Sequence, residues 1–78
     1  MFPKVLSVSK GATVIWSNED STLHTVTSGT PERGDSGTEF DSVYLAAGRT
    51  FEHAFDKAGT FDYYCTLHPF MKGQVVVK

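Results

Sequence analysis

Apolar and polar positions alternate with period two along much of this chain, as half-buried strands require. Thr13-Val14-Ile15-Trp16-Ser17 is rich in β-branched and aromatic residues and predicts a strand. Thr50-Phe51-Glu52-His53-Ala54-Phe55 and Thr60-Phe61-Asp62-Tyr63-Tyr64-Cys65 alternate in the same way, with Gly59 turning between them. Val5-Leu6-Ser7-Val8-Ser9 reads as a strand closed by a turn at Lys10-Gly11. His24-Thr25-Val26-Thr27-Ser28 follows the turn cluster Asn18-Glu19-Asp20-Ser21 and predicts another. Residues 29–39 contain no apolar side chain and read as a long polar loop. Phe40 to Ala46 is expected as an irregular strand, and Gly73 to Lys78 as a final one buried on at least one face. No segment of useful length carries a helical period. About seven short strands with Gly-marked turns predict an all-β Greek-key sandwich, with residues 1–78 forming a single domain.

Alternation also aims side chains. Phe61, Tyr63 and Cys65 share one strand face, so if the first two point inward, so does the thiol. Val14 and Trp16 form the opposite wall. Phe2, Trp16, Phe40, Phe51, Phe55, Phe61 and Tyr63 are the expected aromatic core, and His53 sits among them as a structural histidine.

Composition adds two constraints. A chain of 78 residues buries only about 60% of the surface its unfolded form exposes, so it gains much from a staple. Its single cysteine cannot close an internal disulfide, which leaves a bound metal as the obvious one. Seven basic residues stand against nine acidic ones, and the isoelectric point is near 5.8, which argues against nucleic acid as a partner. No apolar run approaches the roughly 20 residues of a membrane span. No signal-peptide pattern opens the chain, so a cytoplasmic protein and the mature form of an exported, periplasmic one are both expected readings.

The chemistry concentrates near the C-terminus. Cys65-Thr66-Leu67-His68-Pro69-Phe70-Met71 puts a thiolate, an imidazole and a thioether within seven residues. Such soft, mixed donors select copper or zinc over magnesium or calcium. Methionine decides between the two, because structural zinc sites use Cys, His and carboxylates, whereas a His2Cys site with a weak axial Met is a blue-copper arrangement. The second imidazole has to come from elsewhere, and His24, opening a strand, is the leading candidate.

The motif Cys65-x-x-His68-x-x-Met71 behind Gly59-Thr60-Phe61-Asp62-Tyr63-Tyr64, together with Gly11-Ala12-Thr13-Val14-Ile15-Trp16-Ser17-Asn18 and Leu23-His24-Thr25-Val26-Thr27, resembles the cupredoxin family of small blue copper proteins, in its amicyanin, pseudoazurin and plastocyanin-like group. The resemblance implies one mononuclear type 1 copper held by His24, Cys65, His68 and Met71. It implies Thr25 and Asn18 behind the ligands, with the Thr25 N–H donating to the thiolate. Many relatives carry Asn where this chain has Thr25, and that Asn braces the two ligand-bearing segments. Relatives also have a strand ahead of the segment matching Phe2-Pro3. The expectation is therefore a minimal cupredoxin with an open sheet edge able to pair with another chain.

The implied function is soluble one-electron transfer between redox-protein partners, without enzyme activity. Leu67, Pro69 and Phe70 would form an apolar rim for transient docking around the exposed His68 edge. Glu19, Asp20, Glu32, Asp35 and Glu39 would steer a basic partner. A short ligand loop further implies that His68 protonates and leaves cuprous copper in acid. Two other functions compete: a copper-handling or storage protein, and a small copper redox enzyme acting on a molecule such as a nitrogen oxide.

Overall fold

The computed structural model describes residues 5–78. Phe2, one of the expected core aromatics, and the segment before it lie outside these residues. Six strands form among the described residues: β1 (Leu6–Val8), β2 (Thr13–Ser17), β3 (Thr27–Ser28), β4 (Thr50–Ala54), β5 (Gly59–Cys65) and β6 (His68–Val77). They make a four-stranded sheet in the order β1-β6-β5-β3 and a two-stranded sheet of β2 and β4. The chain crosses from one sheet to the other after each of the first four strands and closes with the β5–β6 hairpin. The all-β sandwich is thus as expected.

Strict alternation explains the best-formed strands. In β2, Val14 and Trp16 are buried while Thr13, Ile15 and Ser17 are exposed. Trp16 is the hub of the core, with ring centroids 5.4 Å from Tyr63, 5.6 Å from Phe40 and 5.7 Å from Phe51. Edge-on and tilted contacts at these distances add to area burial. Val26, Leu45, Phe55, Val75 and Val77 complete the buried cluster, with Phe51 and Phe61 partly buried against it. His53 packs between Phe40 and Phe55, each centroid 4.9 Å away, as a structural histidine should.

Three expectations need correcting. Among the described residues the strand count is six rather than about seven, because Phe40 to Ala46 is not a strand. It pairs with the His24–Thr27 segment through the isolated bridges Thr27↔Asp41 and His24↔Leu45, with Ser42 and Val26 bonded between them. Between these bridges one side advances three residues and the other four, so the segment carries one extra residue, a bulge. The bulge contains Val43 at φ 50°, a left-handed conformation that β-branched residues rarely adopt. It turns Leu45 into the core and leaves Val43 and Tyr44 outside, 64% and 69% exposed.

The second correction is at the ligand segment. His68 and Met71, expected on a loop just past the strand that ends at Cys65, lie inside β6, because Cys65 pairs directly with His68 across a turn of only Thr66 and Leu67. The next register pair is Tyr64↔Lys72, so Pro69, Phe70 and Met71 are pushed out of the ladder. Pro69 has no N–H to offer a ladder.

Third, only Thr27–Ser28 of the expected strand His24–Ser28 forms β3. Tyr64, its neighbour in β5, is buried (6% exposed). The polar loop covers it, and its hydroxyl bonds Ser36 Oγ at 2.6 Å. That loop leaves β3 through Gly29 at φ 96°, where a Cβ would meet Asp35 Oδ1 at 2.5 Å.

Candidate metal centre

Cys65 ends β5 fully buried, and its partner across the turn, His68, starts β6 half-buried. His24 arrives from the other side of the sandwich end. It is fixed by a reciprocal backbone pair, its N–H donating to the Leu45 carbonyl at 3.2 Å and its carbonyl accepting from the Leu45 N–H at 2.7 Å.

These elements bring three donors together. Cys65 Sγ lies 3.6 Å from His24 Nδ1 and 3.7 Å from His68 Nδ1. The three donor atoms all fall within 4.8 Å of one another. Bonds of about 2.3 Å to sulfur and about 2.0 Å to nitrogen, the lengths of protein metal sites, give an S···N separation of about 3.5 Å at a tetrahedral angle and about 3.7 Å at a trigonal one. The observed spacing therefore fits a shared metal ion. Met71 joins His24, Trp16, Asn18, Asp20 and Leu45 in lining a cavity of about 20 Å³ beside this group.

The surroundings prepare the sulfur for a metal. Burial pushes the Cys65 thiol up, but hydrogen bonds from the Thr25 N–H, His24, His68 and the Leu67 N–H outweigh it and bring the pKa down from 9.0 to about 6. A thiolate is the form that ligates. His24 is held above its ordinary value by its hydrogen bonds to Cys65 and to Asp20, against the opposing effect of burial.

Thr25 and Asn18 both lie behind the donors. The Thr25 N–H donates to Cys65 Sγ at 3.3 Å. Its hydroxyl accepts from the Thr66 N–H at 2.8 Å and lies 3.2 Å from the Thr66 hydroxyl. Threonine thus ties the His24 segment to the Cys65–His68 turn without an asparagine side chain. Asn18 donates to the carbonyls of Thr22 and Leu45 at 2.9 and 2.8 Å and so shapes the turn that leads into His24.

Around the open side, Phe70 is 79% and Leu67 43% exposed, with Pro69 exposed between them. The Phe70 ring stands edge-on to His68, centroids 6.1 Å apart. Reading the sequence missed two partners. Asp20, expected only to steer a partner, bonds His24 Nε2 at 2.9 Å, and its position four residues before His24 was the available signal. Thr66 as the second half of the brace had no sequence signal, since it depends on a contact across 41 positions.

Known proteins resemble this chain along its length. The profile of copper binding proteins of the plastocyanin/azurin family matches residues 2–78. Amicyanin-alpha from Methylorubrum extorquens is 37% identical over 91% of this chain and 58% of its own. Amicyanin from Paracoccus denitrificans is 36% identical over 94% of this chain and 54% of its own. The chain therefore spans little more than half the length of these relatives. Among solved structures, a purple cupredoxin from Nitrosopumilus maritimus superposes with a TM-score of 0.85 at 38% identity, covering 95% of this chain and 77% of that one. An amicyanin variant in its reduced Cu(I) form at pH 4 superposes with a TM-score of 0.80 at 35% identity, covering 95% and 69%. Family and donor set agree on copper as the cofactor. The chain belongs to the plastocyanin/azurin family of copper-binding proteins, the cupredoxins, and is similar within it to the amicyanins.

Proposed function

We propose that this protein is a one-electron carrier, with residues 1–78 acting as a single cupredoxin-like domain and His24, Cys65, His68 and Met71 holding one copper. The observation that carries the reading is one buried thiol with two imidazole Nδ1 atoms at 3.6 and 3.7 Å. When bound, copper supplies a couple between its cuprous and cupric states.

The residues do the rest. Cys65 offers a thiolate that the Thr25 N–H and its other hydrogen-bond donors stabilise, and sulfur hydrogen bonding tunes the potential of such a site. His24 is buried and anchored at its backbone, which limits rearrangement between oxidation states. Met71, which lines the adjoining cavity, would supply a thioether donor. His68 presents its half-buried ring between Leu67, Pro69 and Phe70, and this apolar rim is the proposed docking and electron-exit surface for a donor and an acceptor protein. Small apolar rims suit transient redox encounters. Action outside the cytoplasm belongs to the same reading, as does pairing through an open sheet edge. Storage of cuprous ion is the weaker alternative, because Cys65 and His24 are closed off from solvent rather than displayed.

The test is a visible spectrum after adding cupric ion. An intense thiolate-to-copper band near roughly 600 nm, absent in Cys65→Ala, is the expected result. No such band, with zinc or nothing retained, would overturn the reading.

A further inference from the structure

The two ring nitrogens of His24 have different partners. Nδ1 faces the Cys65 sulfur at 3.6 Å, and Nε2 lies 2.9 Å from Asp20 Oδ2. The residue is only 7% exposed, so the ring cannot turn either nitrogen to water without moving as a whole. Asp20 is itself held. Its N–H donates to Asn18 Oδ1 at 3.0 Å, and Asn18, 5% exposed, donates to the Leu45 carbonyl at 2.8 Å. Leu45 also exchanges both backbone bonds with His24. The turn from Asn18 to His24 is thus tied at both ends to one residue, which sets the backbone that presents the Asp20 carboxylate, its side chain 56% exposed, to the buried ring.

We propose that Asp20 is a positioning residue of the metal site: its carboxylate holds the proton of His24 on Nε2, aims the Nδ1 lone pair at the metal position beside Cys65, and biases bound copper toward the cupric state. This rests on His24 being a ligand. A neutral imidazole carries one donor and one acceptor nitrogen, and an ionised carboxylate can only accept. With Asp20 on Nε2, the proton resides there and Nδ1 is left free to ligate. A carboxylate in this position also raises the basicity of the ligand. Its negative charge stands one imidazole away from the metal position, where it favours the more highly charged oxidation state. Glu19, next to it in sequence, accepts instead from the Ser17 hydroxyl. It carries the same charge without the ring contact and is the natural control.

The experiment compares copper-loaded wild type with Asp20→Asn, Asp20→Ala, Asp20→Glu and Glu19→Gln. It reads the reduction potential, and by ¹⁵N NMR the solvent exchange of the His24 Nε2–H in the cuprous and the metal-free protein. Asp20→Asn should keep the charge-transfer band and shift the balance toward cuprous copper about tenfold, which is about 59 mV upward for one electron. Asp20→Ala should speed Nε2–H exchange tenfold or more and weaken copper binding about 10–100-fold. Asp20→Glu should recover most of both. Any one of three results overturns the proposal: an unchanged potential in Asp20→Asn, a Glu19→Gln shift as large as that of Asp20→Asn, or unchanged Nε2–H exchange in Asp20→Ala. A wild type without the charge-transfer band would sink the ligand assignment instead, and exchange in the metal-free protein would still decide whether Asp20 holds the ring.

Discussion

Thr25 and Cys65, 40 residues apart, are joined by a backbone N–H to sulfur hydrogen bond of 3.3 Å, and the same threonine uses its hydroxyl to accept the Thr66 N–H. One residue therefore serves the thiolate and the brace through different atoms, and the two can be separated. Thr25→Val removes the hydroxyl and leaves the N–H. Expected is a loss of about 1 kcal/mol in stability, the usual net worth of a hydrogen bond, with the charge-transfer band retained. Urea unfolding alongside the visible spectrum checks this, and loss of the band would show that the brace is needed for the site itself.

Val43 is strained without a packing reason, since its side chain is 64% exposed. Left-handed backbone costs such a residue about 1–2 kcal/mol. Val43→Asn should therefore stabilise the fold by about 1 kcal/mol, or several degrees in melting temperature for a domain of this size. A lower melting temperature would mean that the valine makes contacts in solution that its exposure does not suggest.

Asp62 gives an acid-dependent term away from the metal. The hydrogen bond from Gln74 holds its carboxyl below the ordinary 3.8, with Arg33 acting in the same direction and burial opposing. A depressed carboxyl stabilises the fold fully above its unfolded pKa and loses that contribution as pH falls through the folded value. Asp62→Asn should be less stable than wild type at neutral pH, by under about 1 kcal/mol for so exposed a pair. The gap should close below about pH 4. A gap that persists in acid would place the effect in packing rather than charge.

Strict period-two segments were legible in the sequence almost to the residue. β2 is found as read, and β4 and β5 each differ by a single residue at one end. The sharing of one face by Tyr63 and Cys65 was legible for the same reason. What alternation could not reveal was register. A bulge such as that at Val43 changes which residues face inward without changing composition, so Phe40 to Ala46 looked like a strand. The turn at Thr66-Leu67 was invisible because ligand spacing suggests a loop whether or not its ends pair. The cluster of His24, Cys65 and His68 was legible because two of its three members are three residues apart in a motif. Asp20 was not, because an acidic residue in a turn cluster is ordinary until its neighbour is known to be a buried ring.

That same neighbourhood divides the copper site into a local and a remote part. Cys65, His68 and Met71 sit on one hairpin and could still chelate in an unfolded chain, while His24 lies 41 residues from Cys65 and reaches them only through the folded sandwich. A ligand that also binds the unfolded chain stabilises the native state only by the difference in affinity. On the proposed ligand set, that difference rests mainly on His24. His24→Ala should keep much of the copper and lose most of the copper-dependent rise in melting temperature. The cofactor would then act as a latch between the hairpin and the far side of the fold, with its thermodynamic weight on the histidine most distant in sequence.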